Sequence, residues 1–188
     1  MGTSLPATNS PTIDVENLVA NTSDTVITPS QRNYLNDIWS VYYHDFSNDW
    51  DIKSYVFIAN ISNVESFCEL FKCLNSCWYS GTFFIFREHI MPRWEDEYNV
   101  DGGCFSIKIP SNEAEEKWFN MCASVLGETM GVTSEYSSNI NGISITPKKN
   151  SNLLRVWLKD NDLADSDFYK INMSKYSTIL YKKHIYTN

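Results

Sequence analysis

The sequence predicts an α+β domain on a largely antiparallel sheet, from three observations. Seven short runs rich in β-branched and aromatic residues are spread along the chain. Two longer stretches carry apolar residues at helical spacing. The two kinds do not alternate strictly, as a parallel sheet with crossover helices would require.

Taken in order, the first run is Ile38–Phe46 (IWSVYYHDF) and the second Ser54–Ile61 (SYVFIANI). The stretch 62–75 (SNVESFCELFKCLN) predicts a helix. Ser62 and Glu65 have capping-box spacing, and Val64, Phe67, Phe71 and Leu74 share one face. Strands follow at 81–90 (GTFFIFREHI) and 102–110 (GGCFSIKIP), the latter with Phe105, Ile107 and Ile109 on one side. The stretch 111–128 is the second helix: acidic residues fill its first turn, and Trp118, Cys122, Val125 and Leu126 share a face. Residues 141–147 and 153–159 read as a hairpin around a polar loop, Lys148–Asn152. A short helix over 163–170 and a strand over 177–186 complete the pattern. Residues 1–30 are rich in Ser, Thr, Asn and Pro without sustained period, which predicts a disordered tail before a single domain, 31–188.

Composition narrows the function. The 188 residues carry 23 acidic and 15 basic side chains, a net charge of −8. Long-range attraction to a phosphate backbone is therefore not expected, although a local basic cluster can still hold a few phosphates. No run reaches the ~20 apolar residues of a membrane span, and no leader pattern is read at the N-terminus. Pro6 stands where a myristoylation motif at Gly2 wants Ser or Thr. The sequons at Asn21, Asn60 and Asn172 carry no weight without secretion. The five cysteines are expected to be reduced thiols in a cytoplasmic monomer. Cys68, Cys73 and Cys77, spaced five and four apart, do not make paired zinc-ribbon ligands and read as buried helical thiols. No phosphate loop, nucleophile elbow or metalloprotease motif is present, so no enzyme, metal or cofactor is expected.

One stretch points to a ligand. In Ile90–Gly103 (IMPRWEDEYNVDGG), Trp94 stands two residues after Pro92 and directly before Glu95, Asp96 and Glu97. An indole face is a good partner for a delocalised cation, worth about 0.5–2 kcal/mol. A neighbouring carboxylate offers two acceptor oxygens. Together they suit a flat cation bearing adjacent N–H donors, which describes 7-methylguanine.

The stretch 86–103 (FREHIMPRWEDEYNVDGG) resembles the signature of the cap-binding translation initiation factor 4E family. The likeness runs from about Tyr34 to Trp157, and more faintly into the last strand. It includes the helix segments 63–71 (NVESFCELF) and 117–128 (KWFNMCASVLGE). It implies a curved antiparallel sheet of about eight strands, three helices on its convex face, and a cap slot on the concave face. Carried over by position, the methylated base stacks between Trp50 and Trp94, Glu95 reads the guanine edge, and Trp157 meets the N7-methyl group. Lys148 takes the place of the main phosphate-binding arginine.

Departures from the pattern accompany it. Leu153 and Cys104 stand where the family has a lysine and an arginine linked to phosphate, so Lys149 and Arg155 are expected to compensate. On the convex face the scaffold- or repressor-binding positions are Tyr34, Leu35, Val64, Cys68, Phe119 and Asn120, with Cys68 replacing a tryptophan. The leading expectation is recruitment of capped mRNA for translation. The alternatives are a divergent or viral homologue that sequesters caps or uses another scaffold, and an interaction module with an inactive slot. The region after Trp157 is short, which predicts an abbreviated third helix.

Overall fold

A computed structural model describes residues 32–171 and 179–185. The predicted tail, residues 1–30, lies outside them. The described residues form one seven-stranded sheet in the order β2-β1-β3-β5-β6-β4-β7, antiparallel throughout. The strands are β1 Tyr34–His44, β2 Val56–Asn63, β3 Thr82–Arg87, β4 Gly103–Pro110, β5 Ile140–Lys148, β6 Ser151–Leu158 and β7 Ile179–Lys183. The helices are α1 Val64–Leu74, α2 Ala114–Leu126 and a five-residue α3, Ser134–Ser138. This is the curved α+β sheet expected, with seven strands rather than about eight. Register irregularities between β1 and β2 and between β5 and β6 supply local bends.

Strand alternation divides the sheet into two faces. On the helix side, Val41, Ile85, Ile143, Val156 and Phe105 lie in register across five strands, all essentially inaccessible. Trp118, Met121, Cys122 and Val125 of α2 and Phe67 and Leu74 of α1 close over this row. Each fully buried aliphatic or aromatic side chain contributes about 1.5–3 kcal/mol through removal from water. That burial, rather than helix propensity, holds α1 and α2 in place. The other face carries a smaller apolar cluster of Phe84, Phe86, Ile90, Cys104 and Trp157.

Several local expectations change. Ser62 is not the cap of α1: the Asn63 side chain accepts from the Ser66 amide at 2.9 Å, one residue later. Glu65 instead receives the backbone and side-chain amides of Asn33, clamping the start of β1 to the start of α1. The β5–β6 turn is tighter than predicted, since β5 runs to Lys148 and β6 begins at Ser151. Residues 163–170 hold only a 3₁₀ turn, Ser166–Phe168. The Asp165 side chain accepts from the Asp167 amide, and Tyr169 is drawn into a bridge with Gly131. Cys73 is exposed, not buried, while Cys68 and Cys77 are half-buried.

Candidate functional site

The concave floor is built by the same alternation. Phe86, Gly142, Trp157 and Cys104 form one cross-strand row, and Phe84, Ser144, Arg155 and Ser106 the next. Trp157 is 3% exposed; its indole N–H donates to Ser144 Oγ at 3.0 Å, and Phe86 meets it edge-on at 5.3 Å. Gly142 permits this, because a Cβ there would come within 2.4 Å of the Phe86 ring.

Two loops raise the walls of a cleft of about 530 Å³ over that floor. The first follows β1 and carries Trp50, 51% exposed. Its indole stacks on His44 at 3.9 Å between centroids and 5° between planes. The second, after β3, carries Trp94, 55% exposed, and Glu95. It is tied from within. The Asp96 carboxylate accepts from the amides of Met91 and Tyr98 at 3.0 Å each. The buried Asn99 donates to the carbonyls of Met91 and Arg93, and Asn141 of β5 donates to Asn99. The three consecutive acids therefore divide their roles: Asp96 braces the loop, Glu95 faces the cleft and Glu97 stays in solvent.

A residue not foreseen backs the second wall. His184, just past β7, lies nearly parallel to Trp94 (16°, 6.1 Å) and 5.1 Å from Trp157. Its Nδ1 sits 2.7 Å from the Asn99 carbonyl and its Nε2 3.1 Å from Cys104 Sγ. Burial lowers its pKa, outweighing the opposing pull of the Asn99 carbonyl. Burial pushes the Cys104 thiol up to about 12, so it stays protonated. The consistent assignment has Nδ1–H donating to Asn99 and Nε2 accepting the Cys104 S–H. Tyr55, also lining the cleft, is likewise raised to about 12 by burial.

Trp50, Trp94, Glu95, Trp157, Lys148 and Arg155, singled out from sequence, thus meet around one cleft. Lys149 sits at the hairpin tip and does not line it. Arg155 is half-buried, 3.4 Å from Thr146 Oγ1, and burial lowers its pKa; among the described residues no carboxylate pairs with it. Arg93 lies 3.5 Å from Glu95, a partly exposed pair that contributes little. Lys108 was missed. It stands directly across from Leu153, in the alternation that puts Cys104 and Ser106 on the concave face. Counting by twos from Cys104 would have found it. His44 and His184 had no local signal.

On the convex face, Tyr34, Val64, Phe119 and Asn120 are exposed and Leu35 and Cys68 half-buried. Phe119 packs on Phe67 and Phe71, at 5.2 Å from each. Among the described residues no group of three or more His, Cys, Asp or Glu is placed to hold a metal, and no helix is long and apolar enough to cross a membrane.

Comparison with known proteins fits this geometry. A family model described as Eukaryotic initiation factor 4E matches residues 34–185. Eukaryotic translation initiation factor 4E of Saccharomyces cerevisiae is 29% identical over 68% of this chain and 62% of its own length. Its Candida glabrata counterpart is 30% identical over 68% of this chain and 64% of its own length. The chain thus spans somewhat under two thirds of these relatives. In fold it resembles C. elegans eIF4E-3, solved in complex with the 4E-binding protein Mextli and a cap analog. That likeness has a TM-score of 0.70 at 20% identity, covering 81% of this chain and 93% of the other. The cleft, the sheet that floors it and the matched span lead to one assignment: this chain belongs to the eukaryotic initiation factor 4E family.

Proposed function

We propose that the concave cleft binds the 7-methylguanosine cap of mRNA, and that the protein, without catalysis of its own, brings capped mRNA to translation initiation in the cytoplasm. Residues 31–188 then act as one monomeric cap-binding domain behind a 30-residue tail. The observation carrying this reading is two half-exposed indoles with the Glu95 carboxylate beside one of them around one cleft, floored by a third indole. In that cleft Trp50 and Trp94 sandwich the cationic base, Glu95 accepts from its N1–H and N2–H₂ edge, and Trp157 meets the methyl group. That the nematode relative was solved with a cap analog supports a cap as the ligand, at the level of the fold. The test is retention on a 7-methyl-GTP resin. Release by free 7-methyl-GTP but not by GTP is expected, whereas release by both or failure to bind would remove the reading.

The phosphates leave the base toward Arg155 and Lys148, with Lys108 supplying the charge absent at Leu153. A hydrogen bond to a charged group contributes about 1.5–3 kcal/mol. Arg155→Gln should therefore weaken 7-methyl-GTP binding by about tenfold or more. The same change should alter binding of unphosphorylated 7-methylguanosine less than about twofold. Calorimetric titration of both ligands checks this, and equal losses would move Arg155 out of the phosphate site.

A second reading concerns the convex face. Tyr34, Val64 and Phe119 leave an apolar surface there, but Cys68 offers neither the area nor the N–H donor of an indole. We infer a divergent scaffold or repressor partner. A large aromatic anchor at an interface is commonly worth 2 kcal/mol or more. A Tyr-x-x-x-x-Leu-Φ scaffold peptide (Φ apolar) is expected to bind at least about tenfold more weakly than it binds Cys68→Trp. Equal affinities would restore the ordinary scaffold role.

A further inference from the structure

His44 ends β1 with no exposed surface, and it is built into the loop that presents Trp50. Its Nδ1 lies 2.6 Å from the Asp45 carbonyl and its Nε2 2.7 Å from the Asp49 carbonyl. One ring thus spans the loop from its first residue to the residue before Trp50. The same ring is covered by the Trp50 indole at 3.9 Å and 5°, a closer and flatter contact than the one between Trp94 and His184. Tyr55 meets its edge at 5.1 Å. Thr82 pairs with it across β3, and the exposed Asp45 carboxylate reaches Nδ1 only at 4.0 Å. The cleft lies on the Trp50 side, and His44 does not line it.

An exposed tryptophan in a loop has several rotamers, and fixing one is an entropy cost that binding otherwise bears. Here a buried plane parallel to the indole has already met it. We propose that His44 is the positioning residue for Trp50. With one ring N–H it donates to either the Asp45 or the Asp49 carbonyl, both within reach, to set the loop, and its ring is the shelf that holds the indole with its other face open to the base. The proposal rests on the cap reading for its ligand, and on geometry alone for the shelf.

The test uses the full chain with His44→Ala, His44→Phe, Trp50→Phe and Trp50→Ala. In ligand-free protein, acrylamide quenching of the Trp50 emission, taken as the difference from Trp50→Phe, should rise about twofold in His44→Ala as the second indole face opens. His44→Phe, which keeps a flat ring, should restore the protection. With 7-methyl-GTP, His44→Ala should weaken binding by about tenfold, the worth of one buried hydrogen bond. His44→Phe should recover part of that loss. In a Trp50→Ala background the His44 change should cost less than about twofold, because its effect passes through the indole. Unchanged quenching in His44→Ala, or a loss of affinity equally large without Trp50, would overturn the proposal. Wild-type protein that ignores 7-methyl-GTP would remove the cap reading instead, and the quenching comparison would still decide the shelf.

Discussion

Trp94→Ala is expected to weaken 7-methyl-GTP binding by about a hundredfold while leaving the melting temperature within about 2 °C of wild type. Stacking of a base on an aromatic side chain is worth about 1–3 kcal/mol. A desolvated cation over an indole reaches about 2 kcal/mol or more. Trp94 is 55% exposed, so the free protein loses little by its removal. The loop does not depend on the indole either, since the side chains of Asp96, Asn99 and Asn141 hold its main chain through hydrogen bonds. Titration and thermal melting of the same sample separate binding from folding. A loss of affinity with a collapsed melt would make Trp94 a structural residue.

Glu95→Ala should have the second largest effect, a loss of about thirtyfold. Two hydrogen bonds from a cationic base to a carboxylate are charge-assisted, and each exceeds the usual worth of a neutral pair. Glu95→Gln keeps one acceptor oxygen and should lose about tenfold. Before the ligand arrives Glu95 lies 3.5 Å from Arg93, but both groups are partly exposed, so breaking that pair costs at most about 1 kcal/mol. Stability should again be unchanged, because Glu95 braces nothing. The contrast is Asp96→Ala, which removes the acceptor for two loop amides. Matched titrations of Glu95→Ala, Glu95→Gln and wild type check the order. Equal affinity in all three would remove Glu95 from the guanine edge.

How much of this was legible depended on whether the signal was local. Alternation of apolar residues in 102–110 placed Phe105, Ile107 and Ile109 on the core side, where they are buried. The helical stripe of Trp118, Cys122, Val125 and Leu126 lies fully in the core. Trp94 stood out because a large apolar ring sits beside three acids, whereas Trp50, in a loop of Ser, Asn and Asp, was reached through the family resemblance. Elsewhere the deciding partner was distant in sequence. The cap of α1 moved to Asn63 because Glu65, its expected reciprocal partner, is held by Asn33, 32 residues away. His184 reaches Cys104 across 80 residues, a contact set by the pairing of β7 with β4. The His44 stack is close in sequence, but a histidine followed six residues later by a tryptophan has no recurrent geometry to betray it. Residues 163–170 failed as a helix because Asp165 turns the chain and Tyr169 is pulled inward.

On the proposed reading, the cleft recognises the positive charge that methylation places on guanine. The most direct measurement of this is a tryptophan-fluorescence titration with 7-methyl-GTP and, in parallel, with GTP. Saturable quenching by the methylated nucleotide is expected at about micromolar concentration or below. The response to GTP should be at least about thirtyfold weaker, since removing the methyl group removes the cation–π contribution of two indoles. Equal, weak quenching by both nucleotides would contradict that reading.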